Sequence, residues 1–187
     1  MRFWIAAACT VALFALSASA ADVPRKAPDL EIQMPDGSTL PLSKYRGRVI
    51  ALEFLLTTCP HCQQASVLMN RLNKEYASRG FQAMAVSIRP GRPTVPEYVK
   101  QFALDYPVGS ITSESAHMFL QHPTMIPMMV PQLVFIDREG VIRAQFAGTD
   151  PFFGPDEEKN MRKWIESLLK PADARKAAGK PPAKKIS

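Results

Sequence analysis

The chain has 187 residues, 47% of them apolar and 21% charged, with a net charge of +6 and three cysteines. That length suits one domain with a sizeable core, and so few cysteines exclude a scaffold built on disulfides. The positive excess is confined: beyond Pro171, Arg175, Lys176, Lys180, Lys184 and Lys185 face only Asp173, so the body is nearly neutral and nothing in it marks a nucleic-acid partner.

Met1 and Arg2 open the chain, Phe3 to Leu16 is almost entirely apolar, and Ser17-Ala18-Ser19-Ala20 is a run of small residues. This is the layout of a secretory signal over 1–20. The apolar run is shorter than the roughly 20 residues of a membrane span, and an uncleaved N-terminal anchor is the alternative. A periplasmic or otherwise extracytoplasmic location is expected. Cleavage would remove Cys9 and leave Cys59 and Cys62 in a domain over 21–170.

Residues 22–48 carry Pro24, Pro28, Pro35 and Pro41, with Asp36-Gly37 as a turn between short strands, an N-terminal β extension. Val49 to Leu56 is an apolar run broken only by Glu53, the pattern of a strand buried on both faces. Cys59-Pro60-His61-Cys62 follows, and from His61 to Arg79 the residues Ala65, Leu68, Met69, Leu72 and Tyr76 recur at helical spacing. Pro60 fits the first turn of that helix, and Gly80 its C-terminal cap.

Phe81 to Ile88 reads as a second buried strand. Thr94 and Glu97 have capping-box spacing at the head of a helix with Val95, Val99, Phe102 and Tyr106 on one side. A short strand is expected over Pro107–Ile111 and a short helix over Ser113–Gln121. Pro131–Asp137, a turn at Arg138-Glu139-Gly140 and Val141–Phe146 form a β-hairpin. Asp156–Leu169 is a final helix with Met161, Trp164, Ile165 and Leu168 inward. The order describes one α/β domain, a central mixed sheet with helices on both faces. The Lys-, Ala- and Pro-rich segment 171–187 has no apolar periodicity, so it reads as a disordered basic tail, suited at most to weak contact with an anionic membrane surface.

A disulfide between cysteines three positions apart constrains little of the unfolded chain, so the pair reads as reactive rather than structural. At the start of a helix, unsatisfied N–H groups and a partial positive charge favour a thiolate on Cys59. Cys62, one turn on, is its partner for a disulfide. Zinc needs four ligands, and only His61, His117 and His122 remain as companions, without paired spacing. Neither metal nor cofactor is called for. His117 and His122 read as ordinary surface or helix-end residues. Met125, Met128 and Met129 suit either core packing or a peptide-contacting surface.

Ala27-Pro28-Asp29-Leu30, Tyr45-Arg46-Gly47-Arg48-Val49, the C-x-x-C, Val130-Pro131 and Phe135-Ile136-Asp137-Arg138-Glu139-Gly140 together resemble the thioredoxin superfamily. Within it they look most like the TlpA/ResA-like, AhpC/TSA-related branch of exported thiol–disulfide oxidoreductases. The resemblance runs from residue 27 to about 169 and implies a thioredoxin-like fold. It also implies disulfide exchange with protein thiols, and an upstream membrane or exported redox partner.

By the same resemblance Pro131 is a cis-proline facing the redox pair; a trans proline at the start of a strand is the alternative. Glu53 matches a buried acid beneath the second cysteine, a proton acceptor for Cys62, with a satisfied structural carboxylate as the alternative. The Cys-Pro-His-Cys tetrapeptide resembles that of DsbA-type oxidants, where His61 would stabilise the reduced form, although many proteins of the TlpA/ResA-like branch are reductants. Thr58 stands where the family commonly has Trp. Two other functions compete on this fold: a copper carrier, disfavoured by the two-residue spacer, and a thiol peroxidase, disfavoured by Leu56 where a Thr is wanted.

Overall fold

The computed structural model describes residues 21–89, 91 and 93–171; the expected signal segment with Cys9, and the basic tail beyond Pro171, lie outside the described residues. Eight strands form one mixed sheet in the order β1-β8-β7-β4-β5-β6-β2-β3. They are β1 Arg25–Lys26, β2 Glu31–Gln33, β3 Thr39–Pro41, β4 Val49–Leu55, β5 Phe81–Ser87, β6 Val108–Ser110, β7 Gln132–Ile136 and β8 Val141–Phe146. β4 lies at the centre, parallel to β5 and antiparallel to β7. Every one of its residues is buried, as an apolar run broken only by Glu53 predicts.

The N-terminal extension does not stay together. β1 pairs with β8 at one edge, whereas β2 and β3 form a hairpin that joins β6 at the other. The short segment between them carries the chain from one edge to the other, and each outer strand covers backbone that would otherwise be an open template for association.

Among the described residues four α-helices connect and cover the sheet: α1 Pro60–Tyr76, α2 Val95–Gln101, α3 Ser113–Leu120 and α4 Glu157–Leu169. Alternation along β4 divides the core. Val49, Ala51 and Leu55 face Leu68, Met69 and Leu72 of α1 and Met161, Ile165 and Leu168 of α4. Ile50, Leu52 and Phe54 face Ala116, Phe119 and Leu120 of α3, together with Leu30, Ile32 and Leu42. Each buried Val, Leu, Ile, Phe or Met side chain among them contributes about 1.5–3 kcal/mol. Glu53 falls on the α1 side of the strand, among apolar neighbours.

Element ends shift by a residue or so from expectation, with two informative departures. The first long helix is α-helical only to Tyr76, and Ala77–Arg79 tightens into a 3-10 turn closed by Gly80 at φ 92°. The second helix stops at Gln101. Phe102 is only partly buried and Tyr106 lies beyond the helix, because Ala103 adopts φ 47° ahead of Pro107. The residue that α2 buries fully is Tyr98, not one of the expected face. Among the described residues no helix is long and apolar enough to cross a membrane.

Candidate functional site

β4 ends at Leu55, and the chain turns through Thr57 into α1 with Cys59 as the residue that caps the helix. The Cys59 sulfur accepts the Cys62 backbone N–H at 3.3 Å. Pro60 occupies the next position, where its missing N–H leaves no gap in the helical ladder. The sulfur therefore takes one of the unsatisfied donors of the helix start and lies at its positive end. Cys59 is partly exposed and Cys62 fully buried, and both are free thiols.

On the other side of Cys59 the Val130–Pro131 bond is cis, and the Cys59 thiol is turned toward the Val130 carbonyl at 3.9 Å. Pro131 itself is buried, and β7 begins at the next residue. Gly148, just after β8, lies directly against this peptide. The segment leading into it carries exposed Met125, Ile126 and Met129, whereas Met128 packs on the α3 side of the core. His61 stands exposed on the first turn of α1, and the hydrogen-bond partners of the Cys59 sulfur are the Cys62 amide and the Val130 carbonyl.

Beneath the cysteines lies a buried polar network. Ser66, one turn beyond Cys62 and itself without exposed surface, donates to Glu53 Oε2 at 2.8 Å. The Tyr98 hydroxyl donates to Ser66 Oγ at 2.9 Å, and the Tyr106 hydroxyl to the Ser66 carbonyl at 3.3 Å. Glu53 Oε1 has no hydrogen-bond partner. Removal from water pushes the Glu53 carboxyl up to about 8, opposed by the Ser66 bond and reinforced by the charge of Glu157. Burial, then the Glu53 charge, pushes the Cys62 thiol far above the usual range. Cys62 is thus a poor thiolate until a base takes its proton, and Glu53 is a carboxyl held near the proton affinity such a base needs.

Sequence reading thus named Cys59, Cys62, Glu53 and Pro131, which the structure brings together, and His61 beside them on the surface. It missed Ser66, Tyr98 and Tyr106. Their signal was weak: Ser66 interrupts the apolar face of α1, and Tyr98 sits off the expected face of α2. His117 and His122 lie at the end of α3, on the opposite side of the sheet. Their rings meet edge to face at 5.4 Å, and their Nδ1 atoms donate to the Ser113 and Pro123 carbonyls. Among the described residues no three His, Cys, Asp or Glu side chains gather to hold a metal ion.

Comparison with known proteins agrees with this arrangement. The chain is 28% identical over 123 residues to the thiol-disulfide oxidoreductase ResA of Geobacillus kaustophilus, covering 66% of this chain and 68% of that one. It is 24% identical over 127 residues to ResA of Bacillus thuringiensis subsp. konkukian, covering 68% and 70%. The crystal structure of a thiol:disulfide interchange protein of the thioredoxin family from Chlorobium tepidum TLS superposes with a TM-score of 0.66 at 24% identity. That match covers 80% of this chain and all of the other, and it places the fold as thioredoxin-like. The Redoxin family model matches residues 23–164, from the segment before β1 into α4, and the chain belongs to that family.

Proposed function

We propose that the protein is an exported thiol–disulfide oxidoreductase that exchanges disulfides with protein clients through the Cys59–Cys62 couple. One observation carries this: a partly exposed sulfur caps a helix, and a buried second sulfur lies one turn inside it above a buried carboxyl. In the reducing direction the Cys59 thiolate attacks a client disulfide. A Cys59–client bond forms as the client S–S bond breaks, and one client sulfur leaves as thiolate. Cys62 passes its proton to Glu53 and attacks Cys59. The Cys59–Cys62 disulfide forms, the second client sulfur leaves, and the client has gained two electrons that the protein has lost. The same steps reversed oxidise a dithiol client. Pro131 and the Val130 carbonyl offer the edge against which an extended client segment lies, and His61, exposed on the first turn of α1, stabilises the reduced form.

The Met1–Ala20 pattern supports export, with the basic segment 171–187 suited to weak contact with an anionic surface and an upstream exported or membrane partner resetting the couple. The test is disulfide reduction in insulin by the purified protein, with Cys59→Ser alongside. Loss of activity in the variant is expected, and undiminished turnover overturns the assignment. The reduction potential of the couple, with His61→Pro for comparison, then gives the direction of electron flow. A more negative value in the variant is expected, and an unchanged one removes His61 from the mechanism.

A further inference from the structure

On the face of the sheet away from Cys59, α3 ends at Leu120 and Gln121 takes the left-handed conformation at φ 51°. That turn folds the chain back on the helix, and the His122 backbone N–H donates to the His117 carbonyl at 2.9 Å. Both imidazoles are half-buried, and their ring centres stand 5.4 Å apart. His117 Nδ1 donates to the Ser113 carbonyl at 2.7 Å, and His122 Nδ1 to the Pro123 carbonyl at 3.0 Å. A carbonyl only accepts, so each neutral ring carries its proton on Nδ1 and its lone pair on Nε2. An Nδ1–H bond to a backbone carbonyl is how metal-ligating histidines are oriented.

The two rings line a pocket of about 440 Å³ together with Met118, Glu114 and Asp22. Among the described residues that line it are two carboxylates and no Lys or Arg, so its charge favours a cation. An ion about 2 Å from a ring nitrogen lies about 3 Å from that ring's centre. Rings whose centres are 5.4 Å apart are therefore within reach of one ion. The donors then select the ion. Among the described residues no three His, Cys, Asp or Glu side chains gather to hold a metal, so zinc, which takes four such ligands, is poorly served. The exposed thioether of Met118 on the same wall is a soft donor, and imidazole with thioether suits copper(I). Glu114 and Asp22 act through their charge.

We propose that His117 and His122 bind a copper(I) ion through their Nε2 atoms, with the Met118 sulfur as the third ligand. On a continuous helix, side chains five positions apart diverge, whereas ligands four apart share a face. The left-handed Gln121 turns an unfavourable spacing into a facing pair. The Ser113 and Pro123 carbonyls then fix the tautomer that presents both lone pairs. The site is independent of thiol exchange: Cys59 and Cys62 belong to the opposite side of the sheet, and neither enters the ligand set.

The test uses the full chain carrying Cys9→Ser, Cys59→Ser and Cys62→Ser, so that no thiol competes for the metal. Copper(I) is titrated without oxygen against the chelator bicinchoninate, with copper(II) and zinc(II) in parallel. One-to-one binding of copper(I) is expected, lost in His117→Gln and in His122→Gln and weakened in Met118→Leu, with melting temperatures little changed. Long-range proton–nitrogen NMR should show both rings protonated at Nδ1. On adding copper(I), which is diamagnetic, the Nε2 signals of His117 and His122 should move while those of His61 stay. Should a histidine variant fail to fold, these shifts in the parent decide alone. Absence of copper(I) binding overturns the proposal, as does binding that survives both histidine substitutions or moves only His61. Zinc(II) or copper(II) held by the pair more tightly than copper(I) overturns the choice of ion.

Discussion

Gly148 and Val130 are in contact so close that a Cβ on the glycine would lie 2.5 Å from the Val130 carbonyl oxygen and 2.7 Å from its carbon. Both obstructing atoms are backbone, so a side chain could be admitted only by moving the peptide that faces Cys59. Gly148→Ala should therefore displace the Val130 carbonyl, cost about 1–3 kcal/mol and slow client exchange about tenfold. Urea denaturation and insulin turnover check both effects; a variant with unchanged turnover would show that the carbonyl's position does not matter.

Accessibility separates the two thiols. With Cys59 partly exposed and Cys62 fully buried, brief iodoacetamide treatment of the reduced protein should add one label, at Cys59, as peptide mass spectrometry would locate. Cys62→Ser should leave the client attached, accumulating mixed disulfides that run as higher bands on non-reducing gels and vanish with dithiothreitol.

The buried carboxyl makes stability depend on pH. Glu53 rises from 4.5 to about 8 on folding, so between those values the native state binds more protons than the unfolded chain. Its contribution is complete below about pH 4.5 and fades as pH climbs through about 8. Glu53→Gln should gain on the unaltered protein by a few kcal/mol as pH rises from 5 to 8, measured as the difference in urea stability at each pH. A constant difference across that window would mean that Glu53 folds already ionised.

Removing the donor at Oε2 raises the proton affinity of Glu53. Ser66→Ala deletes the bond that lowers the proton affinity of Glu53 and leaves the Tyr98 hydroxyl without its acceptor. The Cys62-dependent step should shift to higher pH, and stability should fall by about 1–3 kcal/mol. A downward shift would place the controlling interaction elsewhere.

The redox pair and its helix were legible because they are local. Strand, turn, Cys59 and Pro60 follow one another, and the helix start supplies the electrostatics whatever surrounds it. β4 was legible because burial on both faces leaves an unbroken apolar run with Glu53 as its one exception. The support of Glu53 was not. Ser66 is brought under the carboxyl by the pitch of α1, and Tyr98 by the way α2, Val95–Gln101, packs over that helix. Gly148 and Val130 lie 18 positions apart and meet only when β7 and β8 pair. The separation of β1 from β2 and β3 was equally hidden, because short strands carry no mark of which edge they will join.

The cap on α1 is a sulfur. Whatever occupies that sulfur, whether client, alkylating reagent or oxidant, also alters the fastening of the helix that roofs the buried network. Chemical state and local order are thus written into the same atom: the protein cannot react without loosening or retightening the first turn of α1, and amide exchange at Cys62 and Gln63 should record each turnover.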